Sequence, residues 1–255
     1  MGSIYKKIVE IENSNTKAVV CTIIATRGSV PRKTGSKMIV YHDGTIDGTI
    51  GGGALEKKII EEALEAVKNN SSKIVKHDLV NELAMCCGGT VELFIEPIMN
   101  KKKLYIFGAG HIGKSLAKFA VDLDFNCTVI DDRYDAFTNF FVQECVIIKE
   151  HYTEAIERLV FDEHTFVVIL THNHQYDREI VALTLKKQHQ YIGMIGSQRK
   201  VEIAKKNILS LNMIKPEDIE KIDMPIGLDI AVNTPQEIAI SILAKLIDVR
   251  NKKDK

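Results

Sequence analysis

The chain has 255 residues, which is enough for one large domain or for two modest ones. Its hydrophobic fraction of 45%, its charged fraction of 27% and its formal net charge of +0 are ordinary for a globular protein. This neutral balance argues against nucleic-acid binding and a basic membrane anchor, and no apolar run approaches the roughly 18 residues of a membrane-spanning helix.

The first part of the chain is typical of a small α+β domain, which we predict over residues 1–98. Apolar runs rich in β-branched residues predict strands, and an Asp43-Gly44 pair predicts the turn of a hairpin. A long stripe of apolar residues at helical spacing follows three glycines. The predicted elements are strands at 17–26, 37–41, 45–50, 73–80 and 90–96 and a helix at 54–69.

Strand and helix patterns alternate through residues 103–255, which we predict as a second domain. This alternation is typical of a parallel sheet with helices on both faces. The predicted fold class is therefore α/β, a C-terminal Rossmann-like doubly wound sheet with a smaller N-terminal α+β domain. A capping box at 234–237 begins the final helix. Earlier elements are predicted as strands at 103–107, 127–131, 145–148, 165–170 and 191–195 and helices near 112–123, 152–160, 177–188 and 198–211.

A glycine fingerprint follows the first strand of this second domain. Gly108 permits a tight turn, Gly110 lets backbone N–H groups approach a pyrophosphate, and Gly113 lets the helix pack close to the strand. Asp131 ends the next strand, where it would accept a hydrogen bond from a ribose 2′-hydroxyl. The pattern predicts a dinucleotide-binding unit that prefers an NAD-like ribose. A Rossmann fold that has lost its nucleotide is the alternative.

Further polar residues fall at loop positions of the same domain. His111 lies inside the glycine fingerprint, where it would donate to a phosphate, face a second ligand or simply face solvent. His172 belongs to a polar loop at 171–177 that offers two histidines and an aspartate for metal binding, for acid–base chemistry or as a cover for the cofactor. Gly196 and Ser197 follow another strand and would cap a helix that presents cations to an anion.

A second glycine-rich element lies in the first domain. Gly51, Gly52 and Gly53 precede a helix and form another potential anion-binding helix start. Arg27 and Arg32 belong to a nearby loop and supply positive charge. The combination predicts a pocket for a phosphorylated ligand. The alternative is a glycine hairpin with solvated cations.

The five cysteines are too few and too irregularly spaced for a disulfide framework. Together with the lack of a signal-peptide pattern, they predict a cytoplasmic protein. Cys86 and Cys87 precede two glycines, which leave a thiol sterically open. Such a thiolate would ligate a soft metal or carry sulfur; the alternative is a buried pair in a turn.

Several motifs occur in a fixed order between about residues 20 and 245. They are Arg27 to Arg32, Gly51 to Glu56, Cys87 to Gly89, Phe107 to Gly113, Asp131 to Arg133, Thr171 to His174, Tyr191 to Ser197 and Pro225 to Leu228. The combination resembles the XdhC/CoxI family of xanthine dehydrogenase accessory proteins. It is far more specific than any one of its motifs.

The resemblance implies a molybdenum-cofactor chaperone rather than an enzyme with its own turnover. Such proteins bind molybdopterin, help it receive its terminal sulfur from a cysteine desulfurase and deliver it to a molybdenum hydroxylase. By resemblance, Cys87 or Cys86 would contact the molybdenum or protect its sulfur, and Arg27, Arg32 and Gly51–Gly53 would hold the pterin phosphate. The Rossmann-like domain would hold NAD(P) or the nucleotide half of a dinucleotide cofactor. A homodimer is expected.

Two other functions remain open at this point. The chain could be an NAD(P)-dependent oxidoreductase whose first domain binds substrate. Against this, the sequence has no Ser-Tyr-x-x-x-Lys pattern and no His-Asp arrangement typical of hydride transfer. It could also be a nucleotide-sensing regulator, which needs only the Rossmann site and an interaction surface.

Overall fold

A computed structural model describes residues 3–83, 88–196, 201, 205–206, 209 and 215–253. The chain divides into two compact units, Met1–Lys101 and Lys102–Lys255. Cys86, Cys87 and Ser197 lie outside the described residues, as does most of the helix predicted at 198–211. Among the helices that the structure does describe, none combines the length and apolar character needed to cross a membrane.

The first unit contains a five-stranded antiparallel sheet in the order β3-β2-β1-β5-β4. Strand β1 is central and pairs with both β2 and β5, which explains its nearly continuous burial at the start. The elements are α1 (Ile4–Glu12), β1 (Ala18–Arg27), β2 (Lys37–Tyr41), β3 (Ile46–Gly48), α2 (Gly53–Asn69), β4 (Lys73–Asp78) and β5 (Thr90–Pro97).

Helix α2 covers one face of this sheet. Its apolar stripe buries Leu55, Ile59 and Ala63 against Val19 and Ile23 of β1. The helix ends at an Asn70 cap in the left-handed region, a conformation that asparagine tolerates well. The predicted helix and strands of this unit are thus present, whereas α1, which packs on the opposite face, is not among the predicted elements.

The second unit contains a five-stranded parallel sheet in the order β10-β9-β6-β7-β8. The first strand lies at the centre and the order reverses beside it, as in doubly wound dinucleotide folds. This confirms the predicted α/β class. The elements are β6 (Lys102–Phe107), α3 (His111–Val121), β7 (Phe125–Ile130), a 3₁₀ turn (Tyr134–Phe137), β8 (Val146–Ile148), α4 (Tyr152–Arg158), β9 (Thr165–Ile169), α5 (His174–Thr184), β10 (Tyr191–Met194), α6 (Pro216–Ile219) and α7 (Pro235–Lys253).

Both faces of this sheet are covered, as the alternation of patterns predicts. Leu104 and Ile106 of β6 join a core with residues of α3 and α7. Tyr105 and Phe107, which point to the other face, join a core with residues of α4 and α5. The carboxyl ends of β6, β7 and β9 therefore meet at one edge between the two helical layers.

Helix starts follow local hydrogen bonds. Helix α5 begins earlier than predicted because the side chain of Asn173 accepts a hydrogen bond from the Gln175 N–H at 2.9 Å. The predicted capping box is confirmed: the Glu237 N–H donates to Thr234 Oγ1 at 3.2 Å, and the Thr234 N–H donates to Glu237 Oε2 at 3.0 Å.

Candidate functional site

The glycine fingerprint forms the turn between β6 and α3. Gly108 has a φ of +120°, and its backbone lies so close to Leu170 that a side chain would overlap it. A side chain at Gly113 would likewise overlap the backbone carbonyl of Gly108. Gly110 caps the helix and has open space where a side chain would be. The fingerprint therefore makes a close turn with an exposed, uncrowded helix start.

Asp131 directly follows β7 and is fully buried. Its Oδ2 accepts hydrogen bonds from the Ala109 N–H at 2.7 Å and from Arg133 at 2.9 Å, and its Oδ1 accepts from the N–H and Nε of Arg133. Burial alone would raise its pKa, but the bonds from Arg133 and Ala109 outweigh burial and hold the pKa below its ordinary value. All its acceptor positions are used within the chain, so a ribose hydroxyl would have to displace an N–H donor.

Asp132 and Tyr152 lie beside this carboxylate and are residues that sequence reasoning missed. The Oδ1 of Asp132 and the hydroxyl of Tyr152 are both enclosed and lack a hydrogen-bond partner. His172 belongs to the loop after β9, and one of its ring nitrogens lies within 4.8 Å of an oxygen of Asp131 and of Asp132. Its exposed ring packs against Tyr176, with the two ring centroids 5.7 Å apart. The Asp-Asp-Arg motif includes Asp132 and could have pointed to it, whereas nothing in the sequence distinguishes Tyr152 from a core aromatic residue.

The loop after β9 also holds a buried carboxylate. Asp177 accepts a hydrogen bond from Thr171 Oγ1 at 2.6 Å, and its other oxygen lies 3.1 Å from Nδ1 of His174. Burial raises the pKa of Asp177 although the bonds from Thr171 and His174 act in the opposite direction. The arrangement orients the exposed His174 ring at the carboxyl edge of the sheet, next to the loop that carries His172.

Other predicted contacts lie around the same edge of the second unit. His111 is exposed at the first turn of α3, where its carbonyl accepts a hydrogen bond from Ser115. Gly196 follows β10 and borders a cavity of about 350 Å³ that the 225–230 loop also lines. The roles predicted for His111 and Gly196 stay predictions.

In the first unit, the structure brings the predicted loop segments together. Arg27 pairs with Thr90 at the end of the β1–β5 ladder, so Gly28 lies against Gly88 and Gly89. A Cβ on Gly89 would lie 2.5 Å from the Ser29 carbonyl oxygen, which shows how closely the two chain segments approach. The residues that follow Cys87 in sequence are thus in contact with the loop that begins at Arg27.

The glycine turn before α2 joins the same group. A Cβ on Gly51 would lie 2.5 Å from Cγ of Pro31. The Glu56 carboxylate accepts hydrogen bonds from Thr49 Oγ1 at 2.5 Å, the Ile50 N–H at 3.0 Å and the Gly52 N–H at 2.9 Å. Burial would raise the pKa of Glu56, but these bonds lower it. A phosphate at this helix start would share its donors with Glu56.

The cations of this first unit remain at its surface. Arg27 and Arg32 are exposed, as is Gly53 at the first turn of α2. Lys37, from the same stretch of sequence, instead donates to Thr22 Oγ1 at 2.9 Å. The two arginines are therefore accessible to a ligand that arrives from solvent, while Cys86 and Cys87 lie outside the described residues.

These features define a protein of two units, an antiparallel α+β unit with converging glycine loops and a Rossmann-type unit with a glycine-rich ligand edge. The chain belongs to the XdhC and CoxI family. The family model described as the XdhC Rossmann domain matches residues 104–246. The model described as the XdhC and CoxI family matches residues 12–78.

Curated relatives agree with this assignment. The Escherichia coli K12 protein YqeB is 31% identical over 255 residues, which cover 98% of this chain and 46% of that protein. A Bacillus subtilis 168 protein, described as a probable xanthine dehydrogenase subunit, is 30% identical over 164 residues, which cover 64% of this chain and 47% of that protein. The chain therefore spans about half the length of these two relatives.

A third relative is matched over most of its length. PaoD of Escherichia coli K12, described as a molybdenum cofactor insertion chaperone, is 21% identical over 285 residues, 97% of this chain and 88% of PaoD. Among solved structures, a Bacillus halodurans protein described as a xanthine dehydrogenase aligns with a TM-score of 0.54 and 23% identity. That alignment covers 98% of this chain and 96% of the other, and it supports the fold.

Proposed function

We propose that this chain is an accessory protein that binds the molybdenum cofactor, takes part in its sulfuration and inserts it into a xanthine dehydrogenase-type molybdenum hydroxylase. Support comes from the family assignment and from the relative described as a molybdenum cofactor insertion chaperone. The proposed partners are the hydroxylase client and a cysteine desulfurase. The protein would act in the cytoplasm as a homodimer.

One structural observation carries this proposal. Gly28 packs on Gly88 and Gly89, and Gly51 packs on Pro31. Segments that are far apart in sequence, and that the family resemblance links to the cofactor, therefore share one surface of the first unit. A cofactor with a phosphate at one end and a metal at the other needs basic and thiol groups. Arg27 and Arg32 belong to one of these segments, and Cys86 and Cys87 come just before Gly88 in the sequence.

The proposed roles follow from chemistry. Arg27 and Arg32 present guanidinium groups, which bind phosphate oxygens in pairs. The turn at Gly51–Gly53 would allow the phosphate to approach the backbone closely. Cys87 or Cys86 would provide the soft thiolate that molybdenum or its terminal sulfur prefers. The Rossmann-type unit would hold NAD(P) or the nucleotide half of a dinucleotide form of the cofactor.

The test is retention of the cofactor by the purified chain. Size-exclusion chromatography after mixing with molybdenum cofactor should show molybdenum and pterin eluting with the protein. A Cys86→Ser/Cys87→Ser variant should lose molybdenum, and an Arg27→Ala/Arg32→Ala variant should lose pterin. Cys145→Ser, which changes a thiol in the other unit, is the matched control and should retain both.

Two other results would contradict the proposed accessory role. If no pterin is retained and NADH is oxidised with a carbonyl compound, the chain is an oxidoreductase and the accessory role is wrong. Binding of NAD without pterin retention or turnover would instead favour a nucleotide-sensing regulator. Titration of NAD, AMP and CTP with the same preparation separates these outcomes for the Rossmann-type unit.

A further inference from the structure

A group of polar side chains lies at the carboxyl edge of the parallel sheet. Asp131 and Asp132 follow β7, and His172 follows β9, so the strand between them, β6, ends beneath this group. One oxygen of each aspartate and one ring nitrogen of His172 all lie within 4.8 Å of one another. In doubly wound sheets this edge is where ligands bind.

Two oxygen atoms at this place lack a partner. Asp132 Oδ1 is enclosed without a hydrogen bond, and so is the hydroxyl of Tyr152, a residue only 1% exposed. The Tyr152 ring packs against the Tyr176 ring with centroids 5.4 Å apart, and the Tyr176 ring packs against His172 at 5.7 Å, so the Tyr152 side chain belongs to the same cluster as His172. Buried polar atoms without partners are uncommon, and each one points to a missing ligand or ion.

The chemistry of the donor set favours an ion. Carboxylate oxygens and an imidazole nitrogen converge here, and two oxygens of the group are buried without a hydrogen-bond partner. A divalent cation bonds directly to such oxygen and nitrogen atoms at about 2.0–2.2 Å. A cation would also neutralise the carboxylate of Asp132.

The two aspartates differ in charge balance. Asp131 already accepts four hydrogen bonds, three of them from Arg133, which compensates its charge. Within the part of the chain that the structure describes, Asp132 has no ion pair with a lysine or an arginine. Asp132 is therefore the available ligand, and Asp131 fixes the adjoining backbone.

We propose that Asp132 and His172 bind a divalent cation at the carboxyl edge of the Rossmann-type sheet, beside the hydroxyl of Tyr152. A carboxylate oxygen with an imidazole nitrogen suits Mn²⁺ or Zn²⁺. Two protein ligands leave coordination positions open. Because Ala109 of the glycine turn is bonded to Asp131, the cation lies next to the start of α3, and a diphosphate at that helix start would supply the remaining oxygens.

The experiment is a titration of the tag-free full chain with Mn²⁺. Electron paramagnetic resonance measures binding as the loss of the free-ion signal. We expect saturable binding that weakens about tenfold or more in Asp132→Asn and in His172→Ala. The matched controls are Asp122→Asn and His42→Ala, which alter exposed residues elsewhere and should bind as the unchanged chain does. His172 is exposed, so its variant tests the site even if Asp132→Asn fails to fold.

Two results would overturn the inference. One is the absence of saturable Mn²⁺ binding up to millimolar concentration, and the other is equal affinity in both site variants and both controls. The diphosphate part is tested separately: added ADP should tighten Mn²⁺ binding by the unchanged chain beyond the Mn²⁺ that the same ADP binds in protein-free buffer. An unaltered affinity with ADP would overturn that part alone. Neither test uses molybdenum cofactor, so the result is independent of the proposed accessory role.

Discussion

The Ala109 N–H donates a hydrogen bond of 2.7 Å to Asp131 Oδ2 and so ties the glycine turn to the end of strand β7. The fingerprint assigns the acid at this position to a ribose, but here its oxygens hold the chain itself. Arg133 completes the arrangement with three further hydrogen bonds. The carboxylate therefore shapes the turn through hydrogen bonds within the chain.

The first prediction concerns the stability that Asp131 provides. Its folded-state pKa is lowered, so its stabilising effect is present above the unfolded value of about 3.9 and is lost as the pH falls through the folded value. We expect Asp131→Asn to lower the free energy of unfolding at pH 7 by about 1–3 kcal/mol, because the neutral amide cannot accept all four hydrogen bonds and Arg133, which is 38% exposed, loses its charged partner. The difference should shrink as the pH falls below 4.

Urea unfolding of both proteins over this pH range measures the effect. Asp122→Asn is the control, because this residue is exposed at the end of α3. A loss at pH 7 no larger than that of the control would show that the Asp131–Arg133 pair does not stabilise the unit.

The second prediction separates folding from ligand binding at the glycine turn. Gly113→Ala places a methyl group on the Gly108 carbonyl and should lower the free energy of unfolding by about 2–3 kcal/mol. Gly110→Ala has no heavy atom within 4 Å of the new methyl group and should change stability by less than about 1 kcal/mol.

If the turn binds a diphosphate, Gly110→Ala should still weaken ADP binding, since the methyl group occupies the open approach to the helix start. Calorimetric titration with ADP and thermal unfolding measure the two effects. Unchanged ADP affinity in a stable Gly110→Ala protein would exclude this turn as the diphosphate site.

How far the sequence predicts this molecule depends on how local each feature is. The Thr234–Glu237 capping box and the turn at Gly108 rest on neighbours in sequence, and both are present. Asp131 and Asp132 come just after β7, so the alternation along that strand does not tell us which of the two carboxylates is buried. The unpartnered hydroxyl of Tyr152 depends on packing between distant elements, which a local pattern does not contain.

The first unit also has features that local sequence patterns do not predict. Helix α1 is only nine residues long, and the Ser3 side chain at its start makes no capping hydrogen bond, so this short apolar and charged run is not among the predicted helices. The contact of Gly28 with Gly88 and Gly89 follows from the pairing of Arg27 with Thr90. Strand order is a property of the whole sheet, and so the convergence of these loops was not predictable from their separate motifs.

The third prediction tests that convergence. Gly89→Ala places a methyl group 2.5 Å from the Ser29 carbonyl oxygen and 2.6 Å from that of Arg27. The loop must move, so we expect a loss of about 1–3 kcal/mol in stability and weaker retention of molybdenum cofactor. Gly88→Ala is a matched control, since its methyl group meets nothing closer than Val80 at 4.0 Å. Equal cofactor retention by the two variants would mean that the loop position does not matter for binding.

The fourth prediction concerns Asp177, whose pKa is raised in the folded state by burial. A raised carboxyl pKa favours folding most below the unfolded value of about 3.9, and this contribution is lost as the pH rises through the folded value. Asp177→Asn keeps the shape and the acceptor for Thr171 but cannot ionise. We therefore expect the variant to be destabilised more at pH 4 than at pH 7, relative to the unchanged chain.

Urea unfolding at the two pH values tests the sign, with Asp122→Asn as the control for an exposed carboxylate. The opposite trend, a larger loss at pH 7, would mean that the hydrogen bonds from Thr171 and His174 outweigh the burial of the Asp177 carboxylate. The folded-state pKa would then lie below about 3.9. Burial dominates in the structure because the Asp177 side chain is only 1% exposed, so its carboxylate is strongly desolvated. The His174 ring is 69% exposed, and water therefore weakens its interaction with the carboxylate.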